Sequence, residues 1–344
     1  MSCLISLLLT PLDLSGQHQF RIGEWNVENL FDCKHEDGKD DTDFLPDSER
    51  KWGRSRYWKK LNALSKVLIA LSDNEPVDLI ALCEVENDSV LYDLTRRTPL
   101  RNVGYEYVVT SSPDTRGLDI ALLYQPASFR PIHSCSIDVS EHRPNGFRPT
   151  RDLLYVSGIL QTRDTLDIFV CHFPSRRGGV SLTGIYRCYV AGVLRQVVDS
   201  VVSKRTNPQI VVLGDFNDGP KDASVRRVLN ARPLKNGKTE NAERGELYNL
   251  TTDKRGKFHK EVRGTYYFQQ RWEQLDQIIV NGCLLDRKNR IHTDYNRCLI
   301  VDYPFLLMHD SQDNRIPYRT YQGPLYRGGF SDHLPLTVTF SYSW

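Results

Sequence analysis

The sequence predicts an α/β fold in which stacked β-sheets carry helices on their outer faces, and three observations carry that expectation. Short apolar strand-like runs recur along the whole chain, two segments have clear helical periodicity, and several strand runs are apolar on both sides, as strands are when both faces of a sheet are covered. The strand signals are FRIGEW (20–25), VDLIALC (77–83), YEYVVT (105–110), DIALLY (119–124), LLYVSGIL (153–160), LDIFVCHF (166–173), QIVVLG (209–214), QLDQIIV (274–280) and LPLTVTF (334–340). The first helix is expected in RSRYWKKLNALSKVLIALS, where Tyr57, Leu61, Leu64, Leu68 and Leu71 fall three or four apart. The second is expected in GIYRCYVAGVLRQVVDSVVS, with Tyr186, Val190, Val193, Val197 and Val201 on one face. There is no internal repeat, low-complexity linker or Pro/Gly/Ser-rich hinge to divide the chain.

The chain of 344 residues has 40% hydrophobic and 26% charged residues, a globular rather than a disordered composition. A net charge of +2 provides no overall field to draw it onto nucleic acid or membrane, so polyanion binding must come from local patches. No apolar run approaches the roughly 18 residues of a membrane span, which excludes an integral membrane protein. The eight cysteines show no CxxC and no zinc-like clustering. Cys83 and Cys171 lie inside apolar runs, where a free thiol behaves as a small hydrophobe. Most of the cysteines read as reduced core residues, although an even count leaves disulfides open. Residues 1–19 contain a short apolar stretch without a preceding Lys or Arg, and read as a tail or as a weak or clipped export signal. Cytoplasmic and exported locations both stay open.

The polar residues fall at the ends of the strand runs. Asn26, Glu84, His172 and Asp215 with Asn217 stand at C-terminal ends, while Asp276 and Asp332–His333 stand at N-terminal ends. In a mixed or antiparallel sheet both kinds of end meet on one rim. Each element alone has a plain structural reading. GDFNDG is a turn sequence, Glu84 a strand-end carboxylate, His172 a core histidine, and Ser331–His333 a turn leading into a strand. What favours a functional cluster is that all occur together, each beside an apolar strand.

The set NVEN (26–29), ALCEVEN (81–87), CHFPSRRGG (171–179), GDFND (214–218), LDQIIV (275–280) and SDHLPL (331–336) resembles the endonuclease/exonuclease/phosphatase family with the DNase I-like fold. The resemblance runs from about Phe20 to Phe340 and implies one catalytic domain over 20–344. It further implies a four-layer sandwich, two mixed sheets packed face to face with helices on both outer faces, and a metal-dependent phosphoesterase. Hydrolysis of a phosphate ester needs a hard cation, an activated water and donors for the developing negative charge. The resemblance makes Glu84 the main ligand of Mg²⁺ or Mn²⁺, with Asn26 and Asp332 as companions. It makes Asp215 the water-activating carboxylate, with Asn217 orienting the water or a phosphate oxygen. His333 becomes a phosphate donor with Asp276 on its other ring nitrogen, and His172 a donor to the phosphate or leaving group. Ser175 stands where abasic-site nucleases commonly have Asn, which weakens an abasic-site specialism. Asp119 is a candidate to orient His172.

Substrate contacts are expected from Arg176 and Arg177 directly after the His172 strand, joined by Arg148 and Arg151. KWGRSRYWKK (51–60) mixes five basic residues with aromatics, a combination suited to nucleic acid, but its tail belongs to the amphipathic helix, and a solvated face with snorkelling side chains is the better reading. The acidic loop 35–49 lacks EF-hand spacing and would repel a nearby polyanion. The expected activity is hydrolysis of DNA phosphodiesters by a monomeric enzyme. The alternatives are a lipid or small phosphorylated substrate, as in sphingomyelinases and inositol-polyphosphate phosphatases, or an inactive binding module on the same fold.

Overall fold

The computed structural model describes residues 18–72, 75–140, 144–234 and 242–342. In chain order the strands are β1 (His18–Leu30), β2 (Leu79–Val85), β3 (Glu106–Val109), β4 (Asp119–Tyr124), β5 (Phe129–Ile137), β6 (Leu153–Leu160), β7 (Thr165–His172), β8 (Ile210–Asp215), β9 (Arg232–Pro233) and β10 (Leu247–Asn249). They continue as β11 (Tyr266–Phe268), β12 (Arg271–Glu273), β13 (Asp276–Asn281), β14 (Ile291–His292), β15 (Cys298–Ile300), β16 (Leu307–His309), β17 (Arg315–Pro317), β18 (Tyr321–Gln322), β19 (Leu325–Tyr326) and β20 (Leu336–Tyr342). The α-helices are α1 (Arg54–Ala70), the short α2 (Asp88–Tyr92) and α3 (Val180–Lys204).

Two seven-stranded mixed sheets hold the fold together, as the resemblance implied. The first has the order β14-β20-β1-β2-β4-β3 with β15 also on β20, and the second runs β5-β6-β7-β8-β13-β10-β9. The period-two alternation of a strand sends successive side chains to opposite faces, so the central strands of the second sheet feed two cores. Val211 and Leu213 of β8, Ile168 and Val170 of β7, and Ile278 and Val280 of β13 join the core shared with the first sheet. Val212, Phe169 and Ile279 join a second core with Val190, Ala191, Leu194 and Val198 of α3. On the other side of the fold, α1 buries Tyr57, Leu61, Leu64 and Leu68, the stripe expected from spacing. On α3 the buried stripe is Arg187, Val190, Ala191, Leu194 and Val198, while Val193, Val197 and Val201 are only half-buried. That is a rotation from the expected face, because Arg187 is drawn inward to an ion pair with Asp218 at 2.8 Å.

The seven described cysteines are free. The tail reading of residues 1–19 lies outside the described residues except at its end, where β1 already begins at His18. No helix among the described residues is long and apolar enough to cross a membrane.

One glycine fixes the spacing of the central strands. Gly214, the penultimate residue of β8, has φ 138°, and a Cβ placed there would lie 1.9 Å from the Cys171 carbonyl oxygen of β7. Both the backbone conformation and the contact exclude a side chain. Gly214→Ala is therefore expected to destabilise the fold by at least about 2 kcal/mol through overpacking, read as a lower denaturant midpoint. An unchanged midpoint would show that β7 and β8 can part here without cost.

Candidate active site

Three site residues continue the inner faces of neighbouring strands. β7 runs parallel to β8 and β13 antiparallel, and the registers pair His172 with Asp215 and Asp215 with Asp276. His172 follows Ile168 and Val170 in parity, Asp215 follows Val211 and Leu213, and Asp276 precedes Ile278, so all three face the other sheet at its rim. From that sheet, Asn26 Nδ2 donates to Asp215 Oδ2 at 3.0 Å. Asp215 Oδ1 accepts the Asn217 N–H at 2.8 Å, and Asn217 Nδ2 donates to the Phe173 carbonyl at 3.1 Å. Asn217 thus fixes the Asp215 carboxylate through its backbone and the β7 end through its side chain.

Glu84 reaches the rim because two strands bulge. The β2–β4 ladder pairs Cys83 and then skips to Val85, leaving Glu84 at φ 65°. β1 is irregular between Asn26 and Leu30, with Glu28 at φ 54° and Asn29 at φ 50°. Left-handed backbone at three non-glycine residues is strained and persists only where surrounding contacts hold it. Here the Asn29 N–H donates to Glu84 Oε2 at 2.8 Å, tying the two bulges together. Glu28 accepts the N–H groups of Thr320 at 2.6 Å and Tyr321 at 3.2 Å, and lies 4.0 Å from the buried Lys60 ammonium. Burial, with Asp332 adding to it, pushes the Glu28 carboxyl up to about 7.

The Ser331–His333 turn is fastened to β1. Ser331 Oγ donates to the Asn26 carbonyl at 2.6 Å and accepts the His333 N–H at 3.1 Å, and the Trp25 indole donates to the His333 carbonyl at 2.9 Å. His333 Nδ1 lies 2.7 Å from Asp276 Oδ2, which also accepts the Thr265 hydroxyl, and the Tyr266 ring packs on the imidazole at 4.7 Å. Burial opposes a charged imidazole, but the Asp276 carboxylate overrides it and holds His333 up at about 10. His172 is the reverse case. Burial and the nearby Arg151 and Arg116 push its pKa well below 6.5, so the ring is neutral, and its Nδ1 has no partner among the described residues. Asp215 is raised to about 6, chiefly by burial, with His333 pulling down and Asp276 up. Asp215 Oδ2 lies 3.6 Å from His172 Nε2 and 3.9 Å from His333 Nε2, too far for direct hydrogen bonds.

Several expectations need correction. Arg176 is committed within the chain: its guanidinium pairs with Glu273 at 2.8 Å and Asp222 at 3.2 Å, and Nε donates to the Asn217 carbonyl at 2.6 Å. It braces the Asn217 loop instead of facing substrate. Asp119 accepts from Thr110 Oγ1 at 2.6 Å and the Ser112 N–H at 3.0 Å, so it does not orient His172. Arg151 is buried against Asp114 at 2.9 Å. Two of the three aromatics of 51–60 are not available for stacking, since Trp52 is buried and donates to the Phe31 carbonyl at 3.0 Å and Tyr57 is buried as well, while Trp58 is half-buried. Asp332 pairs with Arg319. Ser175, Arg148 and Arg177 line a cavity next to the rim. Sequence reading missed Thr265, Tyr266, Arg319 and the Glu28–Lys60 pair. The GTYY run before LDQIIV, and the carboxylate of NVEN, were the available signals.

A carboxyl raised towards neutrality, a charged imidazole opposite it and a carboxylate on a strained bulge thus gather at the rim of a two-sheet sandwich, the fold of the DNase I-like phosphoesterases. The chain belongs to the Endonuclease/Exonuclease/phosphatase family, whose sequence profile matches residues 21–341. Solved structures share the fold. An endonuclease/exonuclease/phosphatase family protein from Bacteroides thetaiotaomicron is 14% identical over 95% of this chain and 99% of its own, with a TM-score of 0.59. A mannosyl-6-phosphatase from Bacteroides thetaiotaomicron VPI-5482 is 13% identical over 93% and 99%, at 0.56. TDP2 from C. elegans is 12% identical over 94% and 75%, also at 0.56. No curated protein sequence matches the chain.

The family is metal-dependent, and the donor chemistry here fits a hard cation. Asp215, Asp276 and His333 offer ligand atoms within 4.8 Å of one another. Asp276 and His333 already bond each other, which leaves the carboxylates of Glu84 and Asp215 and the second lone pair of the Asn26 amide oxygen as oxygen donors.

Activity should fall at high pH as His333 loses its proton. Its raised pKa means that the charged form persists below about 10 and is lost above it. Asp276→Asn removes the partner that raises the pKa, so the alkaline limb of the pH–rate profile should move toward neutrality by at least one pH unit, roughly 1.4 kcal/mol of lost pairing. A limb that stays in place would remove His333 as the group that titrates there.

Proposed function

We propose that this chain hydrolyses phosphodiester bonds, with DNA as the expected substrate, by in-line attack of a water activated by Asp215. The observation that supports it best is the opposite charge state of the two histidines beside one raised carboxylate. Paired titratable groups whose environments push their pKa values apart mark acid and base assignments. Asp215, held by Asn26 and Asn217, takes the proton of the attacking water. Charged His333 donates through Nε2 to a phosphate oxygen while Asp276 holds its ring. Neutral His172 donates one ring N–H to the phosphate or to the leaving oxygen as the P–O bond breaks. Mg²⁺ or Mn²⁺ held by Glu84 and Asn26, with Asp332 reaching it only on leaving Arg319, would neutralise charge on the phosphate oxygens.

A second reading, a small phosphorylated substrate, is favoured by the loss of Arg176 as a phosphate contact and by the phosphatase among the similar structures. Plasmid DNA, an aryl phosphodiester, sphingomyelin, inositol phosphates and sugar phosphates, each with Mg²⁺ or EDTA, separate the readings. EDTA-sensitive DNA cleavage supports the nuclease, and turnover confined to the small phosphates supports the second reading. Inertness towards all of them with several divalent ions would leave the binding module.

Two substitutions test the assignments. Asp215→Asn nearly preserves volume and removes the base, so turnover should drop by about 10²–10⁴-fold with an unchanged melting temperature. Near wild-type turnover would overturn the base assignment. Glu84→Gln keeps shape but loses the charge that holds a hard cation, so half-maximal activity should need at least about tenfold more Mg²⁺. An unchanged midpoint would take Glu84 out of the metal site.

A further inference from the structure

Beside the rim lies a cavity of about 490 Å³ whose charge is unbalanced. Arg116, Arg148, Arg151 and Arg177 line it against only Asp40 and Asp114. Asp114 is already taken, since Arg151 Nη1 pairs with its Oδ2 at 2.9 Å and Arg116 Nε lies 4.0 Å from its Oδ1. Arg148 and Arg177 are exposed and have no carboxylate partner among the described residues. Arg151 is buried, and its Nε has no hydrogen-bond partner among the described residues. Burial and the neighbouring Arg151 lower the pKa of Arg116, with Arg177 acting in the same direction. Crowded guanidinium groups repel one another, and a bound anion relieves that repulsion. α3 starts at the same cavity, where Gly178 and Thr183 form part of the wall and no side chain caps the helix, so its positive end adds to the field.

The cavity adjoins the chemistry. Its floor residue Arg151 donates through Nη2 to the Phe173 carbonyl at 3.0 Å, and Asn217 Nδ2 donates to that same oxygen at 3.1 Å. Phe173 follows His172 directly, and Arg116 lies within electrostatic reach of Glu84. We propose that this cavity is a second phosphate subsite, so that the substrate cleaved at the Asp215–His333 rim carries a further phosphate beside the scissile one. Planar guanidinium groups bind phosphate oxygens in pairs, and the surplus of two positive charges on the walls matches one phosphate dianion. The subsite rests on the phosphoesterase reading for its neighbour. The second phosphate has two sources, the next nucleotide of a strand or a small bisphosphate.

Calorimetry on the full chain in EDTA compares thymidine 5′-monophosphate with thymidine 3′,5′-bisphosphate and with the dinucleotide pTpT. At least one probe with two phosphates should bind about tenfold or more tighter than the monophosphate. A gain for both ligands or for pTpT alone indicates a strand, and a gain for the bisphosphate alone indicates a small molecule. In Arg148→Ala/Arg177→Ala that advantage should shrink to about threefold or less. Both side chains are exposed, so the fold should survive, which the melting temperature checks. Arg148→Lys/Arg177→Lys, which keeps charge but loses the fork, should retain part of the advantage. No advantage in the wild-type chain, or an advantage untouched by the alanine pair, overturns the subsite. Turnover of bis(4-nitrophenyl) phosphate, which has a single phosphate, reads the hydrolysis separately. A chain that hydrolyses it with Mg²⁺ but shows no bisphosphate advantage loses the subsite and keeps the proposed function.

Discussion

The rim depends above all on the register of β8 between a parallel and an antiparallel neighbour. Parallel pairing with β7 sets His172 beside Asp215, and antiparallel pairing with β13 sets Asp276 on the other flank. A slip of one residue would turn these side chains away from the inter-sheet face, because strand parity has a period of two. The apolar residues of the same strands prevent it. Val211, Leu213, Ile168, Val170, Ile278 and Val280 are all fully buried in the shared core, and a slip would move all of them at once. The chemistry is therefore held in place by the hydrophobic pattern several residues away. Gly214 completes the constraint by letting the β7 carbonyl approach as closely as it does.

Upon this frame, burial pushes both histidines towards the neutral form, and a carboxylate partner decides which of them keeps its charge. His172 and His333 are both buried, yet one is neutral and one charged. His333 gains its charge from the Asp276 carboxylate at 2.7 Å, whereas His172 faces Arg151 and Arg116 and has no partner on Nδ1. An arrangement with one imidazolium and one imidazole around a carboxylate allows proton acceptance and hydrogen-bond donation on the same rim at one pH. The fastening of Ser331 and Trp25 to the β1 backbone and the His333 carbonyl keeps that imidazolium aimed without relying on its own short turn.

Much of this was legible in the sequence. All nine strand runs recur as strands, because each had enough β-branched and aromatic content between turn residues to dominate local preference. Asn26, Glu84, His172, Asp215, Asp276 and His333 were legible as polar residues at strand ends, singled out by the family resemblance. What remained hidden depends on long-range partners. Arg176 looks like a phosphate ligand in sequence, and only the return of β12 places Glu273 against it. The Tyr and Trp residues of 51–60 look like a binding surface, and only the return of Phe31, Phe44 and Tyr321 onto its ring shows that Trp52 is core. The face of α3 was misread by a fraction of a turn because a buried ion pair, Arg187–Asp218, outweighs the valine stripe. β5 was missed since its FRPIHSCSI run is largely exposed and interrupted by proline.

The acids beneath the rim give a reason for the site's demand for positive charge. Glu24, Asp215 and Asp276 lie together at the inter-sheet face, where the Glu24 carboxyl meets the Asp276 carboxylate. Burial, reinforced by Asp276 and Asp215, raises the Glu24 pKa well above its usual value, so this carboxyl stays protonated. That leaves Asp215 and Asp276 facing one imidazolium, with Glu84 a short distance away and Lys60 engaged elsewhere by Thr320 at 2.6 Å. Two buried carboxylates and the half-buried Glu84 outnumber the one imidazolium among them, and unbalanced charge is costly at a buried rim. A hard divalent ion offsets it, and the arginine-lined cavity beside the rim supplies further positive charge to an incoming phosphate. The negative rim and the positive cavity are thus complementary halves of one electrostatic arrangement, joined through the single carbonyl of Phe173 that Asn217 and Arg151 share.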